Sequence, residues 1–314
     1  MRLNNLQESP LVQAATAAQR PTRWWLAILF AVIVAIIITS ALATALVDMV
    51  VQTEEGSIGA QVKELIVFAA TFLVIAAWVR FKEGRPVRSL GFIGGTGLKR
   101  FLIGLAIGAG LLTLSVLLVL MLGQYEAAAP AAGSLSGIAA LLPALLLVLH
   151  WSIQSSTEET VMRGYLVQTS ALQLPGWVAI LIPAIIFSLL HMAELGLSEP
   201  VSIINIVLFA LFASFVALRQ GSLWMACGIH AGWNWFQGNV FGVPVSGNAF
   251  QTGVFHLAPT ETATHFLSGG AFGPENSLVV TIVWGVATVM AYRYFTSDSA
   301  PESASRFSPD AAQT

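Results

Sequence analysis

The chain has 314 residues, of which 56% are apolar and only 10% charged, and its mean hydropathy is +0.78. An average soluble domain is about 25% charged, so a soluble fold is excluded. A net charge of −2 gives no basis for a polyanionic partner, which sets nucleic acid aside. The single cysteine, Cys227, cannot form an internal disulfide and reads as a small packed residue.

Residues 1–23 form a polar, mixed N-terminal segment. The stretch from Trp24 to about Val47 carries no charge and is far longer than the apolar core of a cleaved signal peptide, about 7 to 15 residues, so it reads as a retained first span. Seven further spans are predicted: Glu64 to Phe81, Phe101 to Gly123, Gly137 to Leu166, Gly176 to Ala193, Pro200 to Leu218, Leu223 to Gln237 and Ser277 to Phe295. Crossing a hydrocarbon core of about 30 Å takes roughly 20 helical residues, and these blocks are of that order. The expected fold class is an all-α integral membrane protein, a polytopic bundle of about eight transmembrane helices. Its transmembrane domain covers residues 24–295. The tail over residues 296–314 is rich in Ser, Ala, Pro and Asp and reads as disordered.

Orientation follows from the basic residues, which are enriched in loops facing the cytoplasm. With eight alternating spans, Lys63 alone falls outside and Arg163 lies within a span, which leaves twelve of the fourteen Lys and Arg residues inside. Both termini are therefore expected in the cytoplasm. Gly104 and Gly108 have the G-x-x-x-G spacing of closely packed membrane helices. The long Gly-rich outer loop from Asn239 to Asn276, with His256 and His265, reads as irregular surface, a lid being the alternative.

The chemistry concentrates on three apolar spans. The fourth carries Glu158, Glu159 and Arg163, where each charge near the bilayer centre costs about 2.5 to 3.5 kcal/mol. Glu159 and Arg163 stand four apart, which suits an ion pair used for packing; Glu158 is left over. Adjacent helical residues point about 100° apart, so the two carboxylates cannot share one role. The fifth span ends with Phe187 and His191, and the seventh contains His230 and Asn234, each pair on one helix face. A lone intramembrane His is often a packing residue, but sites in helix bundles are built from facing helices, and three separate helices here carry polar clusters. His150 has no such companion and keeps the structural reading, as do the hydroxyls of Ser155 and Ser156.

In order, Glu158-Glu159 with Arg163, Phe187 with His191, and His230 with Asn234 resemble the E-E-x-x-x-R, F-x-x-x-H and H-x-x-x-N motifs of the CAAX-protease and bacteriocin-processing membrane peptidases. The resemblance covers about residues 134–240. H-E-x-x-H, G-x-G-D and G-x-S-x-G, the marks of other intramembrane proteases, do not occur. The resemblance implies an endopeptidase acting on a membrane-associated or lipidated peptide, in a prokaryotic plasma membrane. It implies Glu158 as the base that activates water, His191 as a holder of that water, and His230 with Asn234 as the oxyanion-stabilising groups. Glu159 would count with Glu158, His191, His230 and Asn234 among the catalytic residues, all five converging on one cavity; Arg163 would pair with Glu159, and Phe187 would support the site. Glu158, His191 and His230 could instead hold zinc; a glutamate mechanism without metal is favoured because Asn234 is a poor zinc ligand and a good amide donor. Two other classes stay open: a proton- or ion-coupled transporter, which would need inverted repeats and interrupted helices, and a catalytically silent scaffold. One expectation conflicts with the rest. Ending span four at Leu166 puts Glu158 near its inner end, whereas His191 lies at the outer end of span five.

Overall fold

A computed structural model describes residues 2–192 and 199–297. The expected tail from residue 298 onward and the end of the fifth predicted span at Ala193 lie outside the described residues. The chain is mostly helical. In order come α1 (Trp24–Asp48), α2 (Ile58–Glu83), α3 (Gly97–Met121), α4 (Ile138–Leu146), α5 (Val148–Ala171), α6 (Gly176–Met192), α7 (Pro200–Gln220), α8 (Trp224–Trp235) and α9 (Leu278–Thr296).

Among the described residues, five of these helices are long and apolar enough to cross a membrane, namely α1, α2, α3, α7 and α9, or six if the bent pair α4–α5 is one span. That is fewer than the expected eight, because α6 is only 17 residues long and α8 only 12. The fourth predicted span bends by 42° at the break between α4 and α5, one turn past Pro143, which takes an N–H out of the helical ladder. Side chains such as Leu42, Leu46, Leu73, Ile282 and Met290 point outward and are more than half exposed, as suits a lipid-facing surface.

The core packs around α8. A Cβ on Gly108 would stand 1.9 Å from the Ile229 carbonyl oxygen, and one on Gly104 2.3 Å from that of Met225. On the facing helix, a Cβ on Gly228 would meet the Phe101 carbonyl oxygen at 2.0 Å, and one on Gly232 that of Leu105 at 2.1 Å. Only glycine permits backbones so close, so the G-x-x-x-G spacing of α3 has a reciprocal partner on α8.

The N-terminal segment is less polar in effect than its composition suggests. Short helical turns at Leu3–Glu8 and Pro10–Gln13 bury Leu6, Leu11 and Val12 at the end of the bundle where α5, α7 and α9 finish. Ser9 Oγ donates to the Leu218 carbonyl at 2.6 Å, and Gln168 Nε2 donates to that of Leu11 at 2.8 Å. At the same end Arg85 is buried in a pair with Glu83 at 2.7 Å, and it donates to Gln168 Oε1 at 2.8 Å. Partnering both ways lets these charges sit inside.

At the opposite end, the loop after α8 is built rather than irregular. Strand β1 (Tyr125–Ala127) pairs antiparallel with β4 (Leu257–Pro259), and β2 (Leu135–Ser136) pairs parallel with β3 (Thr252–Gly253). These small sheets, absent from the expectation of an all-helical chain, tie the loop to the α3–α4 connection. Val243, Val245, Thr252 and Phe272 of the loop are buried.

Candidate active site

The two adjacent glutamates lie on different sides of α5, as a 100° step requires. Glu158 lines a cavity of about 510 Å³ between the helices, whereas Glu159 has no exposed side-chain surface and does not line it. Glu159 Oε1 accepts from Arg163 Nη1 at 3.1 Å and stands 3.0 Å from His230 Nδ1. The Arg163 guanidinium also lies over the rings of Phe187, at 5.0 Å, and Phe209, at 5.7 Å. Directly after Glu159 the helix loosens into a π-helical stretch, Thr160–Val167, which carries Arg163. Such stretches inside helices are frequent at functional sites.

His230 links the two carboxylates. Its Nδ1 faces Glu159, and its Nε2 stands 3.6 Å from Glu158 Oε2. Glu158 Oε1 accepts from Gln154 Nε2 at 2.8 Å, and Oε2 has no hydrogen-bond partner. Gln154 Oε1 in turn accepts from Asn234 Nδ2 at 3.2 Å and from Ser155 Oγ at 2.8 Å. One glutamine therefore couples the carboxylate of α5 to the amide of α8. His191 turns its Nδ1 to the Phe187 carbonyl at 2.8 Å, and its ring packs on Phe187 at 4.4 Å. With Nδ1 as the donor, its Nε2 is an acceptor.

Glu158, His191, His230, Asn234 and Phe187 thus line one cavity, with Glu159 and Arg163 behind its wall. The conflict over depth comes from the helix end. Because α5 runs on to Ala171, Glu158 lies 13 residues from its end, and His191 lies 15 residues from the start of α6. At 1.5 Å per residue these are about 20 and 22 Å from the same connecting turn, so the two groups are level.

Gln154 was not singled out from the sequence, although its position four residues before Glu158 in an apolar helix is the same signal that marked Glu159 with Arg163. Asn205 on α7 and Ser246, Asn248 and Glu275 of the loop after α8 also reach the cavity. His150 does not: its ring packs on Trp151 at 4.6 Å, with its Nε2 3.5 Å from Glu64. Among the described residues no three His, Cys, Asp or Glu side chains are grouped so that they could hold a metal ion.

Fold and site together define an integral membrane protein with a carboxylate-bearing polar cavity enclosed by apolar helices. Residues 140–236, the stretch that carries all three motifs, match the family model described as Type II CAAX prenyl endopeptidase Rce1-like, a peptidase family and the one those motifs resemble. No curated protein and no solved structure matches the chain.

Proposed function

We propose that the protein is an intramembrane endopeptidase that hydrolyses a peptide bond of a membrane-associated substrate through a water activated by Glu158. The supporting observation is that Glu158, His191, His230 and Asn234, from three helices, line one cavity in which Glu158 keeps an oxygen without a hydrogen-bond partner. A base that activates water and donors for the oxyanion are what hydrolysis without a nucleophilic side chain requires.

In this mechanism a water donates one hydrogen bond to Glu158 Oε2 and the other to His191 Nε2. Glu158 takes its proton as the oxygen attacks the carbonyl carbon. Asn234 Nδ2 and His230, whose Nδ1 is held by Glu159, stabilise the oxyanion. When the C–N bond breaks, Glu158 returns the proton to the leaving amine. Arg163 neutralises Glu159 and holds α5 in register. A lipidated substrate and a prokaryotic plasma membrane follow from the family likeness alone.

The topology proposed with it places both chain ends in the cytoplasm, with α6 and α8 completing eight membrane segments. The bend between α4 and α5 also suits a proton-coupled transporter, whose helices are often interrupted. Cleavage of a quenched peptide by purified protein, with Glu158→Gln as control, tests the peptidase reading. Proton flux into liposomes without any cleavage would support the transporter instead.

A further inference from the structure

The cavity has a second polar end that the hydrolytic groups leave unused. On α7, Asn205 is 2% exposed and lines the cavity, and its Oδ1 has no hydrogen-bond partner. Its amide nitrogen is committed to backbone, donating to the carbonyls of Glu275 at 2.8 Å and Ser277 at 3.0 Å. The side chain is therefore locked in one orientation with only an acceptor to offer. A buried acceptor left unpaired costs about 1–3 kcal/mol, which a ligand donor would recover.

Beside it, Glu275 Oε2 accepts from the Ser246 backbone N–H at 2.6 Å and from Ser246 Oγ at 3.0 Å. Among the described residues Ser246 is the only non-glycine with a positive φ, 47°. Strain of this kind persists where the surroundings enforce it. Here it turns the N–H of Ser246 onto the carboxylate and fixes Glu275 against the cavity.

The rest of the lining agrees in sign. The charged groups among the described lining residues are Glu64, Glu158 and Glu275, with no Lys or Arg. Between the two polar ends stands an aromatic wall, in which Phe209 packs on Trp284 at 5.1 Å and on the His230 ring at 4.8 Å. Carboxylates together with aromatic faces attract cations. Asn205 is one helical turn from Phe209, whose ring packs on that of His230, so this end of the cavity adjoins the hydrolytic groups. An extended peptide advances about 3.3 Å per residue, so a group a few residues from the cut bond reaches it.

We infer that Asn205, Glu275 and the wall of Phe209 and Trp284 form a specificity subsite for a cationic, N–H-donating group of the substrate. The group is a lysine or arginine side chain, or a free amino terminus, a few residues from the bond cut at Glu158. This deepens the peptidase reading and rests on it.

The test uses the full-length protein in nanodiscs and a set of quenched nonapeptides, N-acetylated, each with one lysine moved stepwise along a neutral sequence. A parallel set has norleucine in place of lysine, and a third has a free amino terminus. The expected result is a preference for lysine over norleucine of tenfold or more in kcat/KM at one position, two to four residues from the cut bond, or the same preference for the free amine. In Glu275→Gln that ratio falls toward one. Equal rates for lysine and norleucine at every position in the wild type overturn the subsite, and this arm needs no variant to fold. An undiminished ratio in Glu275→Gln also overturns the assignment. If no peptide is cleaved, the peptidase reading fails separately, and binding of the fluorescent lysine and norleucine peptides still decides the subsite: equal affinities overturn it.

Discussion

Replacing Glu158 and Glu159 one at a time separates chemistry from packing. In Glu158→Gln the new side chain still accepts from Gln154 Nε2, the 2.8 Å bond that holds the native carboxylate, and Glu158 is 18% exposed, so little is lost from the fold. The expected stability change is below about 1 kcal/mol, the net worth of one neutral hydrogen bond. Cleavage is expected to disappear, because a carboxamide cannot take a proton from water. In Glu159→Gln the opposite holds. Glu159 Oε1 is the acceptor for Arg163 at 3.1 Å and the neighbour of His230 at 3.0 Å, and Arg163 is 1% exposed. Removing the negative charge leaves a buried guanidinium uncompensated, which costs about 3–5 kcal/mol. Arg163→Ala should lose a similar amount and also the ring contacts to Phe187 and Phe209. Thermal melting in one detergent, together with cleavage of a quenched peptide, reads both quantities on the same samples. Residual full activity in Glu158→Gln would falsify the glutamate-base mechanism, and equal melting losses in all three variants would mean that both carboxylates serve packing.

Four further outcomes are expected. Gly108→Ala forces α3 and α8 apart, since its Cβ would lie 1.9 Å from a backbone oxygen; a loss of about 1–3 kcal/mol or more is expected, with activity falling as His230 moves. Gly110→Ala, with open space around it, is the control, and an equal loss there would refute the close crossing. Gln154→Leu should lower kcat/KM by about 10–100-fold with little change in KM, because it unlinks Glu158 from Asn234; an unchanged kcat counts against that link. Burial holds the Glu275 carboxyl above its ordinary pKa, so the stability it contributes is present below the unfolded value and lost as pH rises through the folded one. The melting temperature of the wild type should therefore fall more between about pH 4 and pH 8 than that of Glu275→Gln, and parallel curves would contradict this. Reporter fusions in the Arg80 to Arg100 loop and at both termini should read as cytoplasmic, and a periplasmic signal from that loop would overturn the topology.

Much of this was legible in the residues themselves. Apolar runs marked the helices because hydropathy over about 20 residues is a strong signal, and the 100° step between Glu158 and Glu159 implied that the two could not share one role; Glu159, expected on the same cavity, lies instead behind its wall. The π-helical stretch through Arg163 was not legible, since it does not change the hydropathy of its run, whereas the bend between α4 and α5 had a signal in Pro143 that a reading by hydropathy passes over. Glu275 and Ser246 were missed for a different reason. They sit 29 residues apart in a loop with no periodicity, and only the pairing of β1 with β4 and β2 with β3 brings that loop over the cavity. Leu6, Leu11 and Val12 were lost in a polar average over the first 23 residues, although their burial decides where that segment docks.

The cavity ties the loop after α8 to the site. Glu158 and His191 lie about 20 and 22 Å from the turn joining α5 to α6. They share their cavity with Ser246, Asn248 and Glu275 of the loop after α8, which packs at the end of the bundle away from the buried Glu83 and Arg85. Lipid-facing side chains such as Leu42 and Leu73 shield the flanks. A chain segment entering from the loop's end would meet Asn205 and Glu275 before it met Glu158. In the mechanism proposed above, the proposed subsite is then met before the hydrolytic groups, which would give the loop after α8 a part in choosing the substrate.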